Sequence, residues 1–258
     1  MDKGAVTDAV ILMAGTGSRL GGAGGALAKP LVQIAGRPLI CYTLDALLLA
    51  GICTVHAVMG ANSERLTAEL APLFPAGLRF STIVNREWRK QNGVSVLAAA
   101  GRVQAPFLLA MGDHLFDFAL LEALLAGADP TQVNLAVDRK IDSIFDLDDA
   151  TKVKAEGDRL VAIGKQLDDY NAIDTGVFLC AEEIFTYLKA AQRDGDCSLS
   201  DGVRLMAADG KVRAVDIGDA WWQDVDTPEM LARAEQESAR LLRQSRCGSA
   251  EESVACER

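Results

Sequence analysis

Residues 9–20 read A-V-I-L-M-A-G-T-G-S-R-L, and A-K-P-L follows from Ala28. The apolar run over 9–14 has the length and branching of a buried strand, and Gly15 and Gly17 end it. Such a strand stops at the carboxyl edge of its sheet. A loop of small residues there lets the backbone at Ala14, Gly15 and Gly17 approach a polyphosphate closely. Arg19 adds a fork of donors and Lys29 a point charge, both suited to phosphate oxygens. Taken alone, G-x-G after a strand is weak, because a tight turn looks the same. A dinucleotide fingerprint needs a third glycine three residues after the second, where Leu20 stands, and no G-K-[ST] follows to make a Walker loop. Arg19 and the Lys29-Pro30 pair favour an anion-binding loop.

Working outward, residues 38–50 have helical length and apolar spacing, with Gly51 as a stop. Strand-like runs at 54–59, 78–84 and 106–111 alternate with helical segments at 63–73 and 94–101. Buried strands spaced by helices predict an α/β fold, a Rossmann-like, mostly parallel sheet with helices on both faces. After about residue 130 the rhythm shortens. Strands are expected at 133–137, 152–154, 160–163 and 176–180, then helices at 181–192 and 200–208. A strand at 212–215 and a last helix from Pro228 to about Arg243 complete the set. The expectation is one domain over 1–247, with a nucleotide-binding half (about 8–130) and a smaller, β-rich acceptor-binding half (about 131–245). Residues 248–258 lack apolar periodicity and read as a disordered tail.

Composition narrows the function classes. The chain has 258 residues, half of them hydrophobic, and a formal charge of −10. That charge argues against nucleic acid as a partner, since the only basic cluster spans 86–90. It also makes individual Lys and Arg residues informative, because few cations are at hand to hold an anionic substrate. Six cysteines are scattered without C-x-x-C spacing. With no signal peptide at the start, a reducing cytoplasm is expected. The apolar stretches at 9–14 and 44–52 fall far short of the roughly 20 residues that span a bilayer.

The G-x-G-S-R-L and K-P-L-V-Q-I-A-G-R-P-L-I segments resemble the signature of the sugar-phosphate nucleotidyltransferases. Those enzymes cleave a nucleoside triphosphate between its α- and β-phosphates. Five further motifs are similar, in this order, to the CTP:inositol-1-phosphate cytidylyltransferases: M-G-D-H at 111–114, A-T-K-V at 150–153, I-G-K at 163–165, D-T-G-V-F at 174–178 and W-x-D-V-D-T at 222–227. The resemblance extends over roughly residues 9–235. It implies transfer of CMP from CTP to a small phosphorylated acceptor, inositol 1-phosphate first of all, with Mg²⁺ and loss of pyrophosphate. In that reading Arg19 and Lys29 steady the triphosphate, Lys152 and Lys165 aim the acceptor phosphate, and Asp174 and Thr175 lie near its hydroxyls. Gln91, Asn92 and Ser95 match the segment near cytosine; an ordinary helix N-terminus at 92–93 is the plainer alternative. Such enzymes are often fused to a membrane-embedded transferase. Here two expectations stand side by side, a separate partner that supplies the next step or a different acceptor, and a homodimer is left open.

The residues themselves allow more than one role. Asp113 follows a buried run, so its carboxylate stands at a strand's carboxyl edge, where open α/β sheets hold ligands. Asp226 precedes the last helix. Magnesium takes one or two carboxylates and completes its octahedron with substrate oxygens and water. A helix cap and a turn would also explain these two aspartates; the resemblance selects the metal role. Asp224 would share a strand face with Asp226. Lys152 could be a solvated surface lysine, and Lys165 could pair with Asp168. Asp138 and Arg139 are weaker acceptor-side candidates. A phosphate monoester is already largely dianionic at neutral pH and needs no general base, so His114 reads as a supporting or core residue and His56 as structural. The competing functions are a cytidylyltransferase for phosphonates, a catalytically silent nucleotide-binding subunit and a dehydrogenase.

Overall fold

The computed structural model describes residues 5–15, 28–60 and 63–247. The opening strand β1 (Asp8–Met13) is buried from its second residue onward. A hairpin of β2 (Gln33–Ile34) and β3 (Arg37–Pro38) follows. Its turn has positive φ at both Ala35 (50°) and Gly36 (77°), the backbone that two-residue hairpins favour. Then come α1 (Leu39–Leu49), β4 (Thr54–Met59), α2 (Ser63–Leu70), β5 (Arg79–Val84), α3 (Asn92–Leu97) and β6 (Phe107–Met111). Next are β7 (His114–Phe116), α4 (Phe118–Gly127), β8 (Val133–Asp138), β9 (Lys152–Glu156), β10 (Arg159–Gly164) and β11 (Ala172–Cys180). The chain continues through α5 (Ile184–Ala191), α6 (Leu199–Ala208), β12 (Val212–Asp216), β13 (Trp222–Asp224) and α7 (Pro228–Cys247).

Nine strands form one sheet in the order β5-β4-β1-β6-β11-β8-β12-β10-β9. From β5 to β6 every pairing is parallel, as the helical connections require. Beyond β6 the sheet is mixed: β11 runs antiparallel to both β6 and β8, and only β12 lies parallel to β8. β9 and β10 are joined by a tight turn with Gly157 at φ 63° and pair antiparallel.

Alternation along β1 sorts the core. Val10 and Leu12 join an apolar cluster with residues of α3, α5 and α6, while Ala9, Ile11 and Met13 join one with α1, α2 and α4. Helices therefore cover both faces. With Glu122 as its one charged residue, α4 escapes a periodicity reading; it is announced instead by Asp117, whose carboxylate caps the Leu120 N–H at 3.3 Å. A third cluster, with Ile34, Leu39, Tyr42, Leu115, Val225, Ala234 and Leu241, packs α7 beneath a two-stranded sheet of β7 and β13. Among the described residues no helix is long and apolar enough to cross a membrane.

Candidate active site

β1 and β6 end side by side, with Leu12 in register with Met111 and the Gly112 N–H donating to the Leu12 carbonyl at 2.9 Å. A Cβ at Gly112 would lie 2.9 Å from that carbonyl oxygen and 2.9 Å from Met13 Cγ, so only glycine lets the chain turn so tightly over the end of β1. The turn delivers Asp113 to the sheet edge. The antiparallel pairing of β7 with β13 (His114 opposite Asp224) then brings the second aspartate in, and the Val225 N–H donates to the Asp113 carbonyl at 2.9 Å.

Both carboxylates meet one ammonium. Lys29 opens a short 3-10 turn seated by buried Pro30 and Leu31, and its Nζ donates to Asp113 Oδ2 at 2.7 Å and to Asp226 Oδ1. The other Asp113 oxygen, Oδ1, lies 2.9 Å from His114 Nδ1, which donates to it as the N–H tautomer. The His114 ring is stacked on Trp222 with centroids 6.0 Å apart. Burial works against charge on Lys29, but Asp113 and Asp226 outweigh it and hold its pKa above the ordinary value. For Asp113 burial pulls upward, yet His114 and Lys29 keep the carboxyl well below the usual range. His114 is held up against burial by Asp113, with Asp224 and Asp174 adding to the effect.

Next to this cluster lies a cavity of about 430 Å³, lined by His114, Asp174, Trp222, Asp224, Lys165 and Arg233 among others. Asp174 enters it because β11 is irregular between Asp174 and Phe178, with Gly176 at φ 74°. A Cβ at Gly176 would sit 2.7 Å from His114 Nε2, so this glycine makes room for the imidazole. Burial pushes the Asp174 carboxyl up to about 6, against the opposing Gly176 N–H and His114. Burial also raises Asp224, with Asp226 and Asp113 adding to the rise and His114 opposing it.

The Asp174 shift has a measurable consequence. A carboxyl whose pKa is raised on folding stabilises the fold most below its unfolded value, and that contribution is lost as pH climbs through about 6. The full shift would be worth about 3 kcal/mol, but the side chain is partly open to the cavity, so about 1 kcal/mol is expected. Between pH 5 and 7.5 the wild type should therefore lose stability relative to Asp174→Asn, as measured by urea unfolding. Parallel pH profiles would remove the assignment.

The other sequence-selected residues divide. Lys165 reaches the cavity, but its partner is Asp149 at 2.5 Å rather than Asp168. Lys152, opposite Gly164 in the β9–β10 register, donates to the Asp148 carbonyl at 3.2 Å. Thr175 alternates away from Asp174; its buried hydroxyl donates to the Ala136 carbonyl at 2.8 Å and so ties β11 to β8. Asn92 lines the cavity and accepts from the Leu199 N–H at 2.8 Å. Gln91 precedes α3, its N–H donating to Asp196 at 2.9 Å, and Ser95 is buried, accepting from Asn85 at 3.0 Å. A Cβ on Gly93 would come within 2.6 Å of the Cys197 carbonyl, so this segment lies flush against residues 197–198. Asp138 holds the Trp222 indole N–H at 3.0 Å and Lys140 at 2.9 Å, while Arg139 pairs with Asp216. Ala14 is buried and Gly15 follows it; Gly17, Arg19 and the proposed tail at 248–258 lie outside the described residues.

Sequence reasoning missed Trp222, which fixes His114 and Asp138 together; its place at the head of W-x-D-V-D-T was the available signal. It also missed Arg233, whose guanidinium stands 5.4 Å from the Phe145 ring and donates to the Ser143 carbonyl at 3.2 Å.

Of this site, Lys29, Asp113 and His114 fall within residues 9–147, the stretch matched by the model of the MobA-like NTP transferase domain. The chain belongs to that family. Among its relatives, the bifunctional IPC transferase and DIPP synthase of Aquifex aeolicus is 32% identical over 90% of this chain and 51% of its own length. A CMP-5'-(3-aminopropyl)phosphonate synthase of Streptomyces rubellomurinus is 31% identical over 85% of this chain and 37% of its own length. The chain thus spans about half, or less, of the length of these curated relatives. Among solved structures, an inositol-1-phosphate CTP transferase from T. maritima superposes with a TM-score of 0.82 at 26% identity, covering 98% of this chain and 99% of that one. This member of the NTP transferase domain family shares its fold with that structure.

Proposed function

We propose that the protein transfers CMP from CTP to a small phosphorylated acceptor, inositol 1-phosphate first of all, and releases pyrophosphate. The observation that carries this reading is the convergence of Lys29, Asp113 and Asp226 beside a cavity large enough for a small polar molecule. The two carboxylates fit a divalent cation such as Mg²⁺, because they already close around one positive charge. Such an ion takes one or two carboxylates and finishes its shell with substrate oxygens and water, a demand that two aspartates can meet. The cation supplies charge neutralisation on the phosphate oxygens.

This chain's residues do the rest. The backbone at Ala14 and Gly15 lies at the end of β1, the side from which a triphosphate is approached. An acceptor phosphate oxygen bonds to the α-phosphorus as the bond to pyrophosphate breaks, and the Lys29 ammonium offsets the charge that grows on the leaving oxygens. No proton has to be removed, so His114 is free to orient Asp113. Lys165, with Lys152 behind it, meets the acceptor phosphate, while Asp174 and Asp224 accept from its hydroxyls. Gln91 and Asn92 border the cytosine side. A transferase that consumes the CDP-linked product is the partner class this chemistry calls for, and a cytoplasmic setting suits its substrates.

The acid-rich lining would equally receive an ammonium group, which gives the aminoalkyl phosphonates a place as a second class of acceptor. Pyrophosphate release with CTP and Mg²⁺, measured across inositol 1-phosphate, other sugar phosphates and small phosphonates, tests both. Release with inositol 1-phosphate supports the first reading, and release confined to phosphonates transfers the chemistry to the second. Silence with every acceptor would reject nucleotidyl transfer.

A further inference from the structure

The lysine assigned to the triphosphate is held by the two carboxylates assigned to the cation. Its Nζ contacts Asp113 Oδ2 and Asp226 Oδ1, while His114 holds Asp113 Oδ1. Lys29 and a divalent cation therefore contend for the same two oxygens. We propose that Lys29 is a stand-in for the cation: it keeps Asp113 and Asp226 together, and a cation arriving at those oxygens displaces the ammonium toward the nucleotide.

Several features support an exchange rather than a fixed ion pair. The backbone of Lys29 is anchored by buried Pro30 and Leu31, while its four-carbon stem is flexible and its side chain retains 19% of its exposure. Asp113 is anchored separately, through His114 on Trp222 and through its carbonyl on Val225. The Asp113 carboxylate can thus keep its place when the ammonium leaves. Without a positive charge between them, Asp113, Asp226 and nearby Asp224 would repel one another, and either Lys29 or the cation relieves that. The displaced lysine then faces the only other dense negative charge the proposed reaction brings, the triphosphate. This last step rests on the nucleotidyl-transfer reading; the competition for the carboxylates does not. Cation and nucleotide binding would be cooperative as a result, because the first frees a ligand for the second.

The test measures Mn²⁺ affinity without nucleotide, by electron paramagnetic resonance of the free ion. Lys29→Met removes the competing charge and should tighten Mn²⁺ binding about tenfold or more. Lys29→Arg keeps the charge and should gain nothing. Lys154→Met, which removes a lysine paired with Asp169 elsewhere on the sheet, should match the wild type. If the Met variant fails to fold, Lys29→Gln makes the same measurement. Unchanged or weaker Mn²⁺ binding in the neutral variants would overturn the proposal, as would an equal gain in Lys154→Met. Tighter Mn²⁺ binding together with silence toward every acceptor would reject the enzymatic reading and leave the competition intact.

Discussion

Lys29→Ala should lower turnover with CTP by about 10²–10³-fold, because it removes the described cation nearest the charge that develops at the reacting phosphates. Lys29 contributes to binding as well, but a group that acts mainly as charge builds up is read in kcat more than in KM. The fold should survive. Lys29 sits at the sheet edge, and its apolar neighbours Pro30 and Leu31 hold the turn without it. Asp113 and Asp226 each lose one cationic contact, a cost that added divalent cation should offset. Thermal unfolding with and without Mg²⁺, beside steady-state pyrophosphate release, separates these effects. A Lys29→Ala enzyme at full turnover would end the assignment.

Asp113→Asn should have a loss of the same order and a different signature. The substitution keeps the shape of the side chain but removes the charge that attracts both Lys29 and a cation, and it deprives the His114 N–H of an ionised acceptor. The Mg²⁺ concentration for half-maximal rate should rise about tenfold or more, and turnover at saturating Mg²⁺ should stay about 10²-fold low. His114 should lose its elevated pKa, which imidazole proton shifts can follow by nuclear magnetic resonance. Wild-type Mg²⁺ dependence in this variant would show that the carboxylate is not a ligand.

These two residues also show how far the sequence could be read. Lys29 and Asp113 were legible because each follows a local signal: a glycine loop after a buried run, and an aspartate directly after a buried strand. Asp174 was legible as the polar start of a buried strand, and simple alternation could have turned Thr175 away from the site beforehand. What was not legible depends on partners far along the chain. The meeting of Asp226 with Asp113 requires β7 and β13, each only three residues long, too short to leave a periodic trace. Lys165 finds Asp149 through the β9–β10 hairpin rather than its nearer neighbour Asp168. The mixed second half of the sheet follows from crossover geometry that hydrophobic spacing does not encode.

The pairing of β7 with β13 bears on how the protein comes into being. Lys29 and Asp113 are 84 positions apart, but Lys29 and Asp226 are separated by 197. On a ribosome, the glycine loop and the parallel half of the sheet emerge long before the strand that completes the ion-paired cluster. Contacts between such remote segments form late, since loop closure comes before any reward from pairing. A nascent chain could thus bury most of its nucleotide half while its centre still lacks one carboxylate. Cation affinity would then be the final property acquired in maturation, and a sensitive marker of a chain that has closed correctly.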